Sequence, residues 1–196
     1  MKSRQRMFSL SMAVLGLVML ACTCGVPAPK LSGPVPAATV PVSEEAAKRM
    51  QTKLNQAATQ AKTTGQYKVA LTESEVTSYL VAKLEEQRKQ GDTIPLTNPQ
   101  IKFTQDQAWV YGTFESGSTK LNGLVVASPI IRDGKLSIKV VRADFGAVPV
   151  PGPLLDQLNQ QIQVWIDEQS AQSQSILLTG ITIRQGQIEV TGQARK

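Results

Sequence analysis

Histidine is absent from all 196 residues, and cysteine occurs only twice, as Cys22 and Cys24 near the N-terminus. The first absence excludes Ser-His-Asp and Cys-His catalysis and every histidine-bearing metal site. The second leaves the remaining chain without a thiol nucleophile, a thiolate-held metal or a disulfide staple, so its stability must come from packing. No Walker-type lysine loop, G-x-S-x-G elbow or G-x-G-x-x-G fingerprint occurs, and no Ser-x-x-Lys stands at a helix start. Charge is sparse too. The formal net charge of +6 falls to +3 once Lys2, Arg4 and Arg6 are set aside. What remains is spread along the chain, without the basic stripe that nucleic-acid binding requires. Among the carboxylates, Asp144 in Arg142-Ala143-Asp144-Phe145-Gly146 reads as a structural partner of Arg142 or of a backbone amide. Glu73 and Glu75 read as charges that favour a helix start, and no EF-hand-like spacing supports a calcium site. The expectation is a protein that is not an enzyme and that needs no cofactor and no metal.

What is present begins with Met1-Lys2-Ser3-Arg4-Gln5-Arg6, three positive charges and no negative one, followed by an uncharged run from Met7 to Ala21. A basic segment ahead of a short apolar core is the pattern of a secretory signal. Met19-Leu20-Ala21-Cys22 resembles the lipobox of bacterial lipoproteins, which implies a diacylated Cys22 as the new N-terminus. The alternative is an uncleaved anchor, since the uncharged stretch continues to Val26 and approaches the roughly 20 residues that a spanning helix needs. Both readings leave the basic flank in the cytoplasm and the rest outside. The expected location is the outer face of a bacterial cell membrane, held there by lipid or by the N-terminal helix. Residues 22–42 follow as a tether with prolines at 27, 29, 34, 36 and 41. Alternating proline favours extended polyproline II, here a semi-rigid spacer of about 50 Å.

Residues 43–196, about 150 in number, suffice for one domain with a substantial core. Ser43 followed by Glu44 and Glu45, with Ala47, Met50, Leu54, Ala57, Ala58 and Ala61 at helical spacing, predicts a capped helix over 44–63 that Gly65 stops. A strand over 67–71 runs into Thr72-Glu73-Ser74-Glu75, a capping box that opens a second helix reaching about Gln90. From Pro99 the period changes to two, predicting strands at 100–105, 107–115, 119–131 and 136–145. Turns fall at Asp106, Gly117 and Asp133-Gly134, the last suited to a type I′ hairpin. A helix over 153–171 begins with Pro153 at its first position. Its apolar face is Leu154, Leu155, Leu158, Ile162, Trp165 and Ile166, beside a polar Gln-rich stretch from Gln157 to Gln163. A closing hairpin is expected from 176–184 and 187–192 around Gln185-Gly186.

Short turns imply antiparallel pairing, so the class is α+β. Most strands alternate apolar and polar, as a sheet with one wet face requires. The 119–131 strand differs. Leu121, Gly123, Val125, Ala127 and Ile131 fall on one face, and Leu124, Val126 and Ile130 on the other. Both sides need a cover, whether a helix, a partner or an apolar ligand. Trp109, Tyr111 and Phe114 on the strand before it fit either a core or the lining of an apolar groove.

Three stretches together carry a resemblance: Leu71-Thr72-Glu73-Ser74-Glu75-Val76 with Tyr79-Leu80, Pro129-x-x-Arg132-Asp133-Gly134-Lys135-Leu136, and Gly146-Ala147-Val148-Pro149-Val150-Pro151 followed by Leu154-Leu155. Over about residues 68–192 the chain resembles YpmS-type envelope proteins and, more distantly, LmeA-type phospholipid-binding proteins, both similar to the tubular lipid-binding superfamily. The resemblance implies a strongly curved antiparallel sheet wrapped around a long helix, with additional N-terminal helices, enclosing an apolar groove for acyl chains. On that expectation the ligand lies against Leu80 and Leu84 of the second helix and Trp109, Leu124, Val126, Ile130 and Phe145 of the sheet. Leu155, Leu158, Ile162 and Trp165 of the 153–171 helix complete the lining. The expected partners are the membrane and a phospholipid or another apolar ligand. The competing reading is an envelope scaffold that presents the same apolar surface to a protein.

Overall fold

The computed structural model describes residues 34–91, 96–116, 119–146, 148–170 and 176–194. The signal segment, Cys22, the tether as far as residue 33 and the turn at Gly117 lie outside the described residues. Among those described, no helix is long and apolar enough to cross a membrane.

Helix α1 spans Glu44–Thr64, its first turn capped by the Ser43 side chain and closed at its far end by Gly65 in the left-handed region (φ 78°). Its buried side is Ala46, Ala57 and Ala61, small residues that let the helix lie close to its neighbours. Strand β1 (Gln66–Thr72) leads directly into α2 (Glu73–Lys89), where the capping box forms as the sequence requires, Thr72 accepting from the Glu75 amide and Glu75 from the Thr72 amide. Strands β2 (Leu96–Thr104), β3 (Gln107–Ser116), β4 (Thr119–Arg132) and β5 (Lys135–Phe145) follow as an antiparallel meander. Asp133 and Gly134 both take positive φ at the β4–β5 turn, the geometry that a type I′ hairpin needs. A two-residue strand, β6 (Val148–Pro149), precedes α3 (Gly152–Ser170), and β7 (Ile176–Arg184) and β8 (Gln187–Ala194) close the chain.

The strands form two antiparallel sheets, one of three strands in the order β1-β8-β7 and one of five in the order β2-β3-β4-β5-β6. The closing hairpin therefore pairs with β1 and does not extend the meander. Val69, Leu71 and Tyr67 of β1 pack with Ile188 and Val190 of β8 against Ala57 and Met50 of α1. The second core cluster joins the two sheets. Ile101 and Phe103 of β2 meet Ile183 of β7, with Val76 and Leu80 of α2 and Ile188 packed around them. Backbone bonds reinforce the joint, Gly186 donating to the Phe103 carbonyl at 3.0 Å and Leu178 to that of Gly134 at 2.8 Å. The folded body also takes in Val40, which is 2% exposed and donates its N–H to Gln100 Oε1 at 2.6 Å.

Both long edges of the five-stranded sheet are closed by helices. On β2 the Ile101 N–H bonds Thr77 Oγ1 of α2 at 3.0 Å and the Phe103 N–H bonds Glu73 Oε1 at 2.7 Å. On β5 the Asn159 side chain of α3 accepts from the Val140 N–H at 2.6 Å and donates to the Val140 carbonyl at 3.0 Å. Exposed sheet edges invite pairing with other chains, and covering them with helices removes the template. Beside Val140 the register shifts and leaves Val141 unpaired, a bulge opposite the Val126–Ala127 step.

Candidate functional site

Alternation along the strands gives the five-stranded sheet two faces. The inner face carries Ile101, Phe103, Ala108 and Val110, packed on α2. The same face holds Phe114 and Phe145, whose rings meet edge to face at 4.7 Å across Gly123. On the outer face the register sets two rows side by side. One is Gln100, Tyr111, Leu124 and Asp144, and the other is Lys102, Trp109, Val126 and Arg142. Each has an apolar centre and polar ends. Farther along the same face Ile130 stands opposite Ser137.

The centre of this outer face is closed over. Leu124 is 2% and Val126 3% exposed, while Trp109, Tyr111 and Ile130 are half-buried. The Trp109 and Tyr111 rings lie 6.3 Å apart and tilted. Burial pushes the Tyr111 phenol up, partly offset by the positive charge of Arg142. At the polar end, Arg142 Nε binds Asp144 Oδ2 at 2.6 Å, one of the two structural pairings expected for that carboxylate. Lys102 is likewise held by Glu73 at 3.1 Å. Next to Ile130, Ser137 donates to Gln163 Oε1 of α3 at 2.7 Å, so α3 reaches this face as well as the β5 edge.

The expected lining residues are thus divided. Trp109, Leu124, Val126 and Ile130 share the outer face. Leu80 packs into the inner cluster, Leu84 is buried on α2, and Phe145 clamps Phe114 on the inner side. Leu155 is half-buried at the start of α3. The side chains of Leu158, Ile162 and Trp165 lie outside the described residues. Two hollows formed by described residues lie elsewhere. One of about 440 Å³ sits at the end of the three-stranded sheet and includes Tyr67, Thr179 and Gly192. The other, of about 470 Å³, runs along α1 between Thr52 and Thr63. Neither includes an expected lining residue. The strand pattern did not indicate the first hollow, although Gly192 within a strand is a signal of close backbone approach.

No family model, curated protein or solved structure matches this chain.

Proposed function

We propose that this chain is a membrane-tethered extracytoplasmic lipoprotein whose domain binds a lipid or another apolar ligand along the outer face of the five-stranded sheet. The observation that carries the reading is the row of Trp109, Tyr111, Leu124, Val126 and Ile130 on that face, apolar area beyond what the inner core uses. On this reading the sheet curves around α3, with Leu155 on the opposite wall. Access comes by displacement of α3, whose described bonds to β5 are those of Asn159 and Gln163. Each such bond contributes about 0.5–1.5 kcal/mol net, a cost that burial of an acyl chain offsets. No bond of the ligand is broken. Each methylene moved from water contributes about 0.8 kcal/mol, so an acyl chain supplies the whole driving force.

A second reading, an envelope scaffold, is favoured by Val148 and Val164, each 59% exposed. It uses apolar surface to meet a protein partner and no lipid. Native mass spectrometry of the purified full chain separates the two. A bound lipid of defined mass, lost in a Val126→Asp variant, supports the ligand reading. A chain free of lipid that takes up no fatty acid refutes it. A stoichiometric protein crosslinked in cells through position 130 supports the scaffold.

A further inference from the structure

The β4–β5 hairpin sets cations on the outer face beside the apolar row. In its register Val126 stands opposite Arg142, Ser128 opposite Lys139, Ile130 opposite Ser137 and Arg132 opposite Lys135. Paired residues share a face, as does every second residue along β4, so these positions all lie on one side. Arg132, Lys135, Lys139 and Arg142 are exposed, whereas Val126 beside them is 3% exposed. Their charges are not equally available. Arg142 is held at 2.6 Å by Asp144, a buried carboxylate of the same face. Among the described residues no ion pair engages Arg132, Lys135 or Lys139. Asp133 in the turn offsets at most one of those charges, and Asp167 of α3 accepts from Gln163 Nε2 at 3.1 Å. The opposite margin, on β2, offers Gln100 and a Lys102 already tied to Glu73 at 3.1 Å. The surplus positive charge therefore lies toward the turn end of the hairpin.

The lengthwise order of this face selects the polarity of a ligand. From Arg132 back to Leu124 the strand β4 runs about 26 Å, at about 3.3 Å per residue. Cations stand at one end, Ile130 follows, and Val126 and Leu124 come last with Trp109 and Tyr111 alongside. A long acyl chain laid along β4 buries its methylenes at the apolar end, and its head arrives between Lys135 and Lys139. Lysine stems cover apolar surface while the ammonium stays in water, which suits the boundary between tail and head. A neutral head leaves those charges unmet, whereas an anionic oxygen accepts charge-assisted hydrogen bonds from them. We propose that the outer face takes an amphiphile with an anionic head, a carboxylate or a phosphate. Lys135 and Lys139 receive the head, and the acyl chain is directed toward Trp109. The proposal rests on the apolar-ligand reading and adds to it the charge and the direction of the ligand.

Native mass spectrometry of the full chain in detergent tests it with pairs matched in apolar area. The pairs are palmitate against hexadecanol, and phosphatidylglycerol against the diacylglycerol of the same chains. At least one anionic member should outbind its neutral match about tenfold, as two exposed charge contacts imply. Which pair does so tells a carboxylate head from a phosphate one. The double variant Lys135→Gln/Lys139→Gln should reduce that preference to about twofold. Both lysines are exposed, so the variant should melt as the parent does. Lys62→Gln/Lys89→Gln removes the same charge from the last turns of α1 and α2 and should leave the preference intact. Equal binding within both pairs, or a preference that survives Lys135→Gln/Lys139→Gln, overturns the proposal and leaves the apolar-ligand reading standing. A preference lost equally in the control variant does the same. Binding of none of the four probes overturns both.

Discussion

Replacing Asn159 with Ala removes the bridge between α3 and the edge of β5. Val140 is 2% exposed, and its N–H and carbonyl are both bonded by that one side chain, at 2.6 and 3.0 Å. A backbone group left unpaired in a buried setting costs about 1–3 kcal/mol, and each bond replaced by water about 0.5–1.5. Water can reach a sheet edge once the amide is gone, so the lower figure applies twice and the loss is about 2 kcal/mol. For a domain of this size that is a fall of about 4–8 °C in melting temperature. Asn159→Asp sharpens the test. A carboxylate still accepts from the Val140 N–H but cannot donate to the Val140 carbonyl, so this variant should also lose stability, and more as the pH rises past its titration. Urea denaturation gives the free energies, and amide exchange at Val140 reports the site itself. Gln157→Ala, at an exposed position on the same helix, is the control and should change stability by less than about 0.5 kcal/mol. Equal stability of Asn159→Ala and Gln157→Ala, with Val140 exchange unchanged, would refute the claim that α3 is fastened through this amide.

Three more outcomes are expected. Burial raises the Glu75 carboxyl pKa, but the Lys53 ammonium and the Thr72 N–H outweigh it and hold the group below the usual 4.5. Because the folded value lies below the unfolded one, its stabilisation is complete above the unfolded value and is lost as the pH falls through the folded one. Glu75→Gln should therefore cost about 1.5–3 kcal/mol near neutrality, with the gap to the parent closing below pH 4.5 in acid-titrated denaturation. Gly123→Ala would set a methyl 2.6 Å from Phe114 and 2.8 Å from Phe145. It should lower stability by about 1–3 kcal/mol through overpacking, read from a thermal melt. Mass spectrometry of the membrane-extracted protein should find a chain that begins at a diacylated Cys22 and, in Cys22→Ser, an unacylated chain that keeps Met7–Ala21, whereas an uncleaved helix would give the same unacylated N-terminus in both.

Most elements were legible because their signals are local. Ser43 and the Thr72–Glu75 box mark helix starts through bonds made within one turn. The Asp133-Gly134 pair marks a hairpin through its own backbone angles, and period-two alternation marks β2 to β5. Pairing partners are not local. Nothing in Gln66–Thr72 says that it bonds to Gln187–Gln193 at the far end of the chain, and so the division into two sheets could not be read. The doubly apolar character of β4 did signal cover on both sides, and Leu124 and Val126 are indeed buried. The Gln-rich stretch of α3 signalled only polarity. In the fold Asn159 bonds the Val140 backbone, left open at the sheet edge beside a bulge, and Gln163 accepts from the Ser137 hydroxyl. Phe145, expected near a ligand, meets Phe114, since Gly123 leaves room for two rings between the strands.

Photo-crosslinking the full chain with a diazirine-bearing fatty acid, followed by peptide mapping, tests the proposed ligand face most directly. Label concentrated on the peptides holding Trp109 and Leu124–Ile130, and competed away by unlabelled fatty acid, is the predicted result. Label that is absent, or that falls on Leu80 and Phe145 and spares Val126, would contradict it.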